Sequence, residues 1–505
     1  MKKFLSITLI FFFLLINVNI SVYSHINNEN SEPSFSYSCT SFECIEMYNP
    51  EKNVLIPNDV FGDQRDFWTR NFEIQEYELS HATLLAVGNW CYLYMDNRTI
   101  DQLGQSQAIQ LCENYADEFD NNIYPKNVEF MGHPDGIIGD IDGDPRITIL
   151  IYPAVRGGGY YLEGNEMVHP YSNYREMIYI NSVIITSNLI TTVCHEFNHL
   201  IYFNSDLNEA DFVLEGIAEY SIYHAGYFSD EAYLPPWARM NLSYNAVPFE
   251  DHPETSLFYF DPVSLAYLSY GASYMFFFYL VEQYGIQVVT DLLAIESDGP
   301  KGLEEVLLLL GHNISFNEIY LNWITACTID QLGIHNNLYG FENLSFHSTV
   351  STEIEGLPYS RNNVRHNYYG FDVKKINNPP NDFTLKIETP NSPRSLGISA
   401  IIHDENGWNI TKSIITGDGD FTYLYYTGEN IEMAYILTSM IKENVEDAPR
   451  EFITAPYENL DYAVYEGNNV PEKSIISFSI TTILIAFLSG FMLIVKKRRL
   501  KKEIK

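Results

Sequence analysis

The chain has 505 residues, 46% of them hydrophobic, which is enough for two or three domains with cores of their own and far from the composition of a disordered protein. A formal charge of −37 sets its surface against phosphate backbones and acidic headgroups and so argues against a nucleic-acid partner. Six cysteines are too few to build the fold on disulfides.

Residues 1–24 read as a secretory signal: Lys2 and Lys3 lead, Phe4 to Ile16 form an apolar run, and Val22-Tyr23-Ser24 offers a cleavage site. Residues 25–58 are a polar lead-in rich in Asn, Ser and Glu. A first domain is expected over 59–348, with an α/β part to about 205 and a helical part after it. Its expected elements begin with patchy alternation from Phe72 to Asp96 and a helix over Gln102 to Asn121. Strands follow at Arg146–Tyr152 and Met177–Ile180, with the glycines at 157–159 turning the chain between them. A buried helix is expected over Asn188–Tyr202 behind Ser187 as N-cap, and a second over Ala210–Ala225. Further helices are expected at Ala266–Tyr284, Ile286–Ile295 and Phe316–Leu332.

Beyond Thr349 the pattern changes to short alternating runs, among them Phe371–Val373, Phe383–Ile387, Gly397–Ile402 and Phe421–Tyr426, which read as a β-sandwich-like module over 349–470. Residues 474–495 carry no charge and are long enough to cross a bilayer, and Lys496, Lys497, Arg498, Arg499, Lys501 and Lys502 follow at once in the tail 496–505. The expectation is a single-pass protein of the cell membrane, with the domain over 59–348 outside and the tail in the cytoplasm. Asn97, Asn241, Asn313, Asn343 and Asn409 open Asn-x-Ser/Thr triplets on the expected outer side. Cys39 with Cys44 and Cys91 with Cys112 are the disulfide pairs to test, while Cys194 is read as a packed thiol that could pair with Cys327.

The strongest chemical signal is His195-Glu196-Phe197-Asn198-His199. Residues four apart share a helix face, so both imidazoles can point at one ion while Glu196 stands where it can act on water beside that ion. A catalytic zinc takes a third protein ligand, and Leu214-Glu215-Gly216-Ile217-Ala218-Glu219-Tyr220 offers two carboxylates one turn apart. Glu215 is read as the ligand and Glu219 as the acceptor for an imidazole N–H, with the reverse assignment open.

These two helices resemble the gluzincin peptidases. The segments DIDGDPRITILIY (Asp140–Tyr152), EMIYIN (Glu176–Asn181), CHEFNHLIYFN (Cys194–Asn204), LEGIAEY (Leu214–Tyr220) and YGASYMFFFYL (Tyr270–Leu280) are similar to the hyicolysin-type branch. The resemblance covers about half of the chain. It implies an α+β zincin-type domain with a mixed sheet and an active-site helix. It also implies zinc at His195, His199 and Glu215, with Glu196 as general base, and a protein or peptide substrate. The spacing from His199 to Glu215 is shorter than in many gluzincins, and Leu214 stands where Asn is common. Oxyanion donors are sought among His224, Tyr220, Tyr223 and Tyr270, which the sequence does not rank. Met177–Ile180 is read as the edge strand that holds an extended substrate, or else as an ordinary core strand.

Asp135, Asp140, Asp142 and Asp144 gather between glycines just before a strand, a pattern that suits Ca²⁺ or else a solvated acidic turn. A rival functional reading is a surface binding or adhesion protein whose zinc-loaded domain processes nothing. The intact Glu196 counts against it.

Overall fold

The computed structural model describes residues 58–468, apart from 137–140, 155–156, 169, 185–188, 228–247, 261–265, 444, 446–447 and 450–452. The expected signal, Cys39, Cys44, Ser187, Asn241, Asp140 and residues 474–495 therefore lie outside the described residues.

The first half is built on a six-stranded sheet. It comprises β1 (Gln64–Asn71), β2 (Glu76–Val87), β3 (Cys91–Asp96), β4 (Ile147–Tyr152), β5 (Gly159–Tyr161) and β6 (Met177–Asn181) in the order β1-β2-β3-β4-β6-β5. The β3–β4 and β4–β6 pairs are parallel and the others antiparallel, so the sheet is mixed.

Alternation along the strands sorts the side chains into two cores. Leu93, Met95, Ile149, Ile151, Ile178 and Ile180 face the helices, while Tyr92, Tyr94, Leu150, Tyr152 and Tyr179 face the other side, where Phe67, Ala82 and Leu84 of the β1–β2 hairpin cover them. Burial on both faces is why RITILIY and EMIYIN read as unbroken apolar runs rather than alternating ones.

Helices α1 (Asn97–Leu103), α2 (Gln105–Glu118) and α3 (Tyr124–Met131) follow β3, and α4 (Leu189–Ser205) follows β6. The helical part comprises α5 (Asp211–His224), α6 (Ala266–Tyr284), α7 (Gln287–Leu292), α8 (Gly299–Leu309) and α9 (Phe316–Ile329). Leu200, Ile201, Val193 and Phe197 sink α4 into the core against the sheet, leaving the opposite face for chemistry. Helices α5 and α6 touch at Gly216, where a Cβ would lie 2.4 Å from Phe277 Cδ2 and 2.9 Å from Ser273 O. Only a hydrogen fits, and this close approach fixes the depth of Glu215 and Glu219 on either side of it.

The second half is a sandwich of two sheets, β13-β10-β15-β8 and β12-β11-β14-β9-β7. Its strands are β7 (Thr352–Ile354), β8 (Tyr359–Asn367), β9 (Phe371–Ile376), β10 (Asp382–Glu388), β11 (Arg394–Asp404), β12 (Gly407–Thr416), β13 (Phe421–Thr427), β14 (Met433–Lys442) and β15 (Tyr457–Glu466). Phe383, Leu385, Leu396, Ile398, Ile436 and Val464 fill the space between the sheets. The outer face of the larger sheet is also buried, because Phe371, Val373, Ile401, Leu437 and Met440 join the core of α6 and α9. Tyr320 Oη with Ser439 Oγ at 2.9 Å and Thr325 Oγ1 with Ser399 Oγ at 2.8 Å tie α9 to that face.

Two expectations are corrected. The fold class is α+β with mixed sheets, but the transmembrane helix expected as part of it is not supported: no helix among the described residues is long and apolar enough to cross a membrane. The long apolar helix that is described, α6, lies within the core, with Tyr274, Met275, Phe276 and Phe277 all buried. Cys91 and Cys112 are buried free thiols rather than a disulfide, whereas Cys194 is the packed thiol it was read as, and Cys327 is likewise free and buried. Cys194 Sγ instead meets Asn127 Nδ2 at 3.4 Å and Ser221 Oγ at 3.6 Å, and Cys91 Sγ lies 3.9 Å from Asp120 Oδ1.

Candidate metal centre

Helix α4 presents His195 and His199 on one face, and α5 crosses it so that Glu215 meets both rings. The two Nε2 atoms are 3.0 Å apart. Glu215 Oε2 lies 3.2 Å from His195 Nε2 and 3.4 Å from His199 Nε2. The three side chains are 12%, 17% and 13% exposed, enough for a ligand to reach them but little enough to strengthen every charge interaction.

The triangle fits a metal ion. Nitrogen and oxygen donors bound tetrahedrally at about 2.0–2.1 Å from an ion stand roughly 3.3 Å apart, which matches all three sides. Glu215 Oε2 is buried and makes no hydrogen bond although both ring nitrogens are close, so the nitrogens approach it off the line an N–H would take. Two imidazole nitrogens and an orphaned carboxylate oxygen therefore point into one shared volume. Among the described residues this is the one group of three or more acidic, imidazole or thiol ligands that could hold a metal ion.

Electrostatics agree with that reading. Burial pulls the His195 ring down, but Glu215 and Glu219 outweigh it and hold its pKa well above the ordinary value. Burial pushes Glu215 up, yet the His199 and His195 rings hold it down at about 2, so it stays an anion. The other His195 nitrogen, Nδ1, meets Glu219 Oε1 at 3.3 Å, which orients the ring. Glu215 thus faces the shared volume and Glu219 stands behind an imidazole.

Glu196 is 6% exposed. Burial raises its carboxyl pKa above the ordinary range against the pull of His195 and His199, and the Tyr161 backbone N–H steadies it. The strand carrying Tyr161 is β5, whose Gly159 lies so near α4 that a Cβ there would come 3.0 Å from Glu196 Cγ and 2.6 Å from Tyr179 O.

Of the two readings of Met177–Ile180, the ordinary core strand is the one the sheet shows. Met177–Ile180 lies in β6, which pairs with β4 on one side and β5 on the other, so the strand at the end of the sheet is β5. The glycines at 157–159 were legible as a turn but not as the entry to a strand. Without Cβ atoms, their backbone can lie directly on the helix that bears the histidines.

The four oxyanion candidates separate. Tyr270 has its ring centroid 6.1 Å from that of His195, and Glu215, Glu196 and Glu219 all act on its hydroxyl. Tyr220 and Tyr223 pack on Phe278 and feel Glu282 instead, and His224 stacks on Phe130. They belong to the far end of α5.

The acidic loop divides as well. Asp144 accepts from Tyr92 Oη at 2.6 Å and pairs with Arg146 at 3.1 Å, Asp142 faces Arg175 at 3.6 Å, and Asp135 lies 3.4 Å from His133. Among the described residues, Asp135, Asp142 and Asp144 are not brought together as a group that could hold an ion, and Asp140, the fourth of the loop, lies outside them. No protein-family model matches this chain, and no curated protein matches it either.

Proposed function

We propose that this protein is a zinc-dependent peptidase whose ion is held by His195, His199 and Glu215. The observation that carries the reading is the convergence of those three donors on one volume with a buried carboxylate, Glu196, beside it. Two imidazoles and one carboxylate make a donor set that suits catalytic zinc, and the resemblance of the two helices to gluzincin peptidases supports the same choice.

Zinc bound there would make water acidic near neutral pH and polarise the carbonyl under attack. The protein's own groups do the rest. Glu196 takes a proton from the attacking water as its oxygen adds to the scissile carbonyl, and its burial-raised basicity suits that task. When the carbon–nitrogen bond breaks, the same carboxyl hands that proton to the departing amine. The Tyr270 hydroxyl donates to the oxygen that gains charge, and β5 offers its free edge to an extended substrate beside Glu196.

Full-length protein incubated with unfolded protein chains is expected to cleave them, to stop when a zinc-selective chelator is added, and to resume when zinc is restored. Cleavage that persists after the metal has been stripped would refute the reading. Tyr270→Phe is expected to lower kcat about 10²- to 10³-fold with KM nearly unchanged, as removal of one oxyanion donor does. A change confined to KM would place Tyr270 in substrate binding instead.

A further inference from the structure

The acidic residues around Asp142 gain a different meaning once their neighbours are in place. Asp144 is committed to Tyr92 and Arg146, but two glutamates from elsewhere, Glu166 and Glu176, lie beside Asp142 and are 2% and 3% exposed. Glu166 Oε1 accepts from Tyr161 Oη at 2.9 Å and Oε2 from Asn204 Nδ2 at 2.6 Å. Glu176 Oε1 accepts from Ile141 N at 2.6 Å, while its Oε2 is buried without a partner. Asn204 is fully buried; its Nδ2 also donates to Pro134 O at 2.8 Å, and its Oδ1 has no partner. A buried acceptor without a donor is the same sign that marks Glu215 in the histidine centre.

The charges are unbalanced. Glu166, Glu176, Asp142 and Asp135 act on one another here, and the buried cation facing them is Arg175, which Asp59 shares at 2.8 Å. Burial pushes Glu166 up to about 8 and Glu176 up to about 9, and the neighbouring carboxylates add to the rise. Asn204 also lies in the last turn of α4, where the helix dipole favours positive charge.

We propose that Glu166, Glu176 and the side-chain oxygen of Asn204 bind a calcium ion that fastens the C-terminal turn of α4 to the segments at Pro134 and Ile141. The donors are all oxygen, which selects a hard cation, and a buried cradle with few carboxylates suits Ca²⁺, which takes amide and backbone carbonyls readily, better than Mg²⁺, which keeps its waters. Gly136 presses on this turn so tightly that a Cβ would fall 2.0 Å from Asn204 O, so the ion would lock a contact already made. His199 lies five residues back on the same helix.

The test uses full-length protein stripped of divalent ions and reloaded with zinc. Millimolar Ca²⁺ is expected to raise Tm by several degrees over the same concentration of Mg²⁺. Ca²⁺ is also expected to displace Tb³⁺, whose emission is excited through Tyr161 beside Glu166. Glu176→Gln and Glu166→Gln, which keep the shape of the protonated acids, should each weaken Ca²⁺ binding at least about tenfold. In His199→Ala, which disables the histidine centre, the Ca²⁺ response should persist; its loss would show Ca²⁺ acting at that centre and overturn the proposal. Equal effects of Ca²⁺ and Mg²⁺ on wild type, or Tb³⁺ that Ca²⁺ fails to displace, would overturn it even if a variant does not fold.

Discussion

Glu196→Gln is expected to lower kcat/KM on unfolded protein substrates by about 10²- to 10⁴-fold while the protein keeps close to one zinc per chain. The amide retains the size of the side chain and leaves the three metal donors in place, so structure and metal content should hardly change. What disappears is the basic oxygen that burial has tuned above its ordinary pKa. The measurement pairs steady-state kinetics with metal analysis on one preparation. Undiminished turnover would remove Glu196 from the reaction, and loss of zinc together with turnover would make it a ligand.

The two carboxylates of α5 should respond differently to substitution. Glu215 Oε2 closes the donor triangle at 3.2 and 3.4 Å, so Glu215→Ala is expected to weaken zinc binding by far more than a factor of about 100 and to end turnover. Glu219 meets the rear nitrogen of His195, at 3.3 Å, so Glu219→Gln is expected to weaken zinc binding by about 10- to 100-fold and to leave measurable activity in excess zinc. Equilibrium titration against a competing chelator reads both values. A larger loss in the Glu219 variant than in the Glu215 variant would reverse the assignment.

Much of the centre was legible because helical spacing dictates it. His195 and His199 had to share a face, and Glu215 and Glu219 had to lie one turn apart on the next helix. Which carboxylate turns inward depends on how α5 crosses α4, and the contact at Gly216 that fixes this crossing is tertiary. Tyr270 could not be told from Tyr220 or Tyr223 for the same reason, since all three sit on apolar helices and only packing shows which of them reaches His195.

Strands β4 and β6 were legible as apolar runs, but their order in the sheet was not, so edge and core readings of β6 both stayed open and the three residues of β5 were read only as a turn. Glu166, Glu176 and Asn204 gave no signal at all. They come from a short turn, the start of a strand and a helix end, and have no common spacing. The apolar stretch at 474–495 reads as a span by composition alone, and the described residues supply no membrane-crossing helix to accompany it.

The sandwich was expected as a module of its own, yet its larger sheet lends Phe371, Val373, Leu437 and Met440 to the packing of α6 and α9. A separate module can be exchanged without harm to its neighbour, whereas a shared core ties the two together. Severing the chain near residue 349 would strip the wall from behind Trp323 and Phe316 and expose the interior that holds α6, and with it Tyr270, in register. The two halves therefore stand or fall together, because the C-terminal sheets are part of the interior on which the metal centre rests.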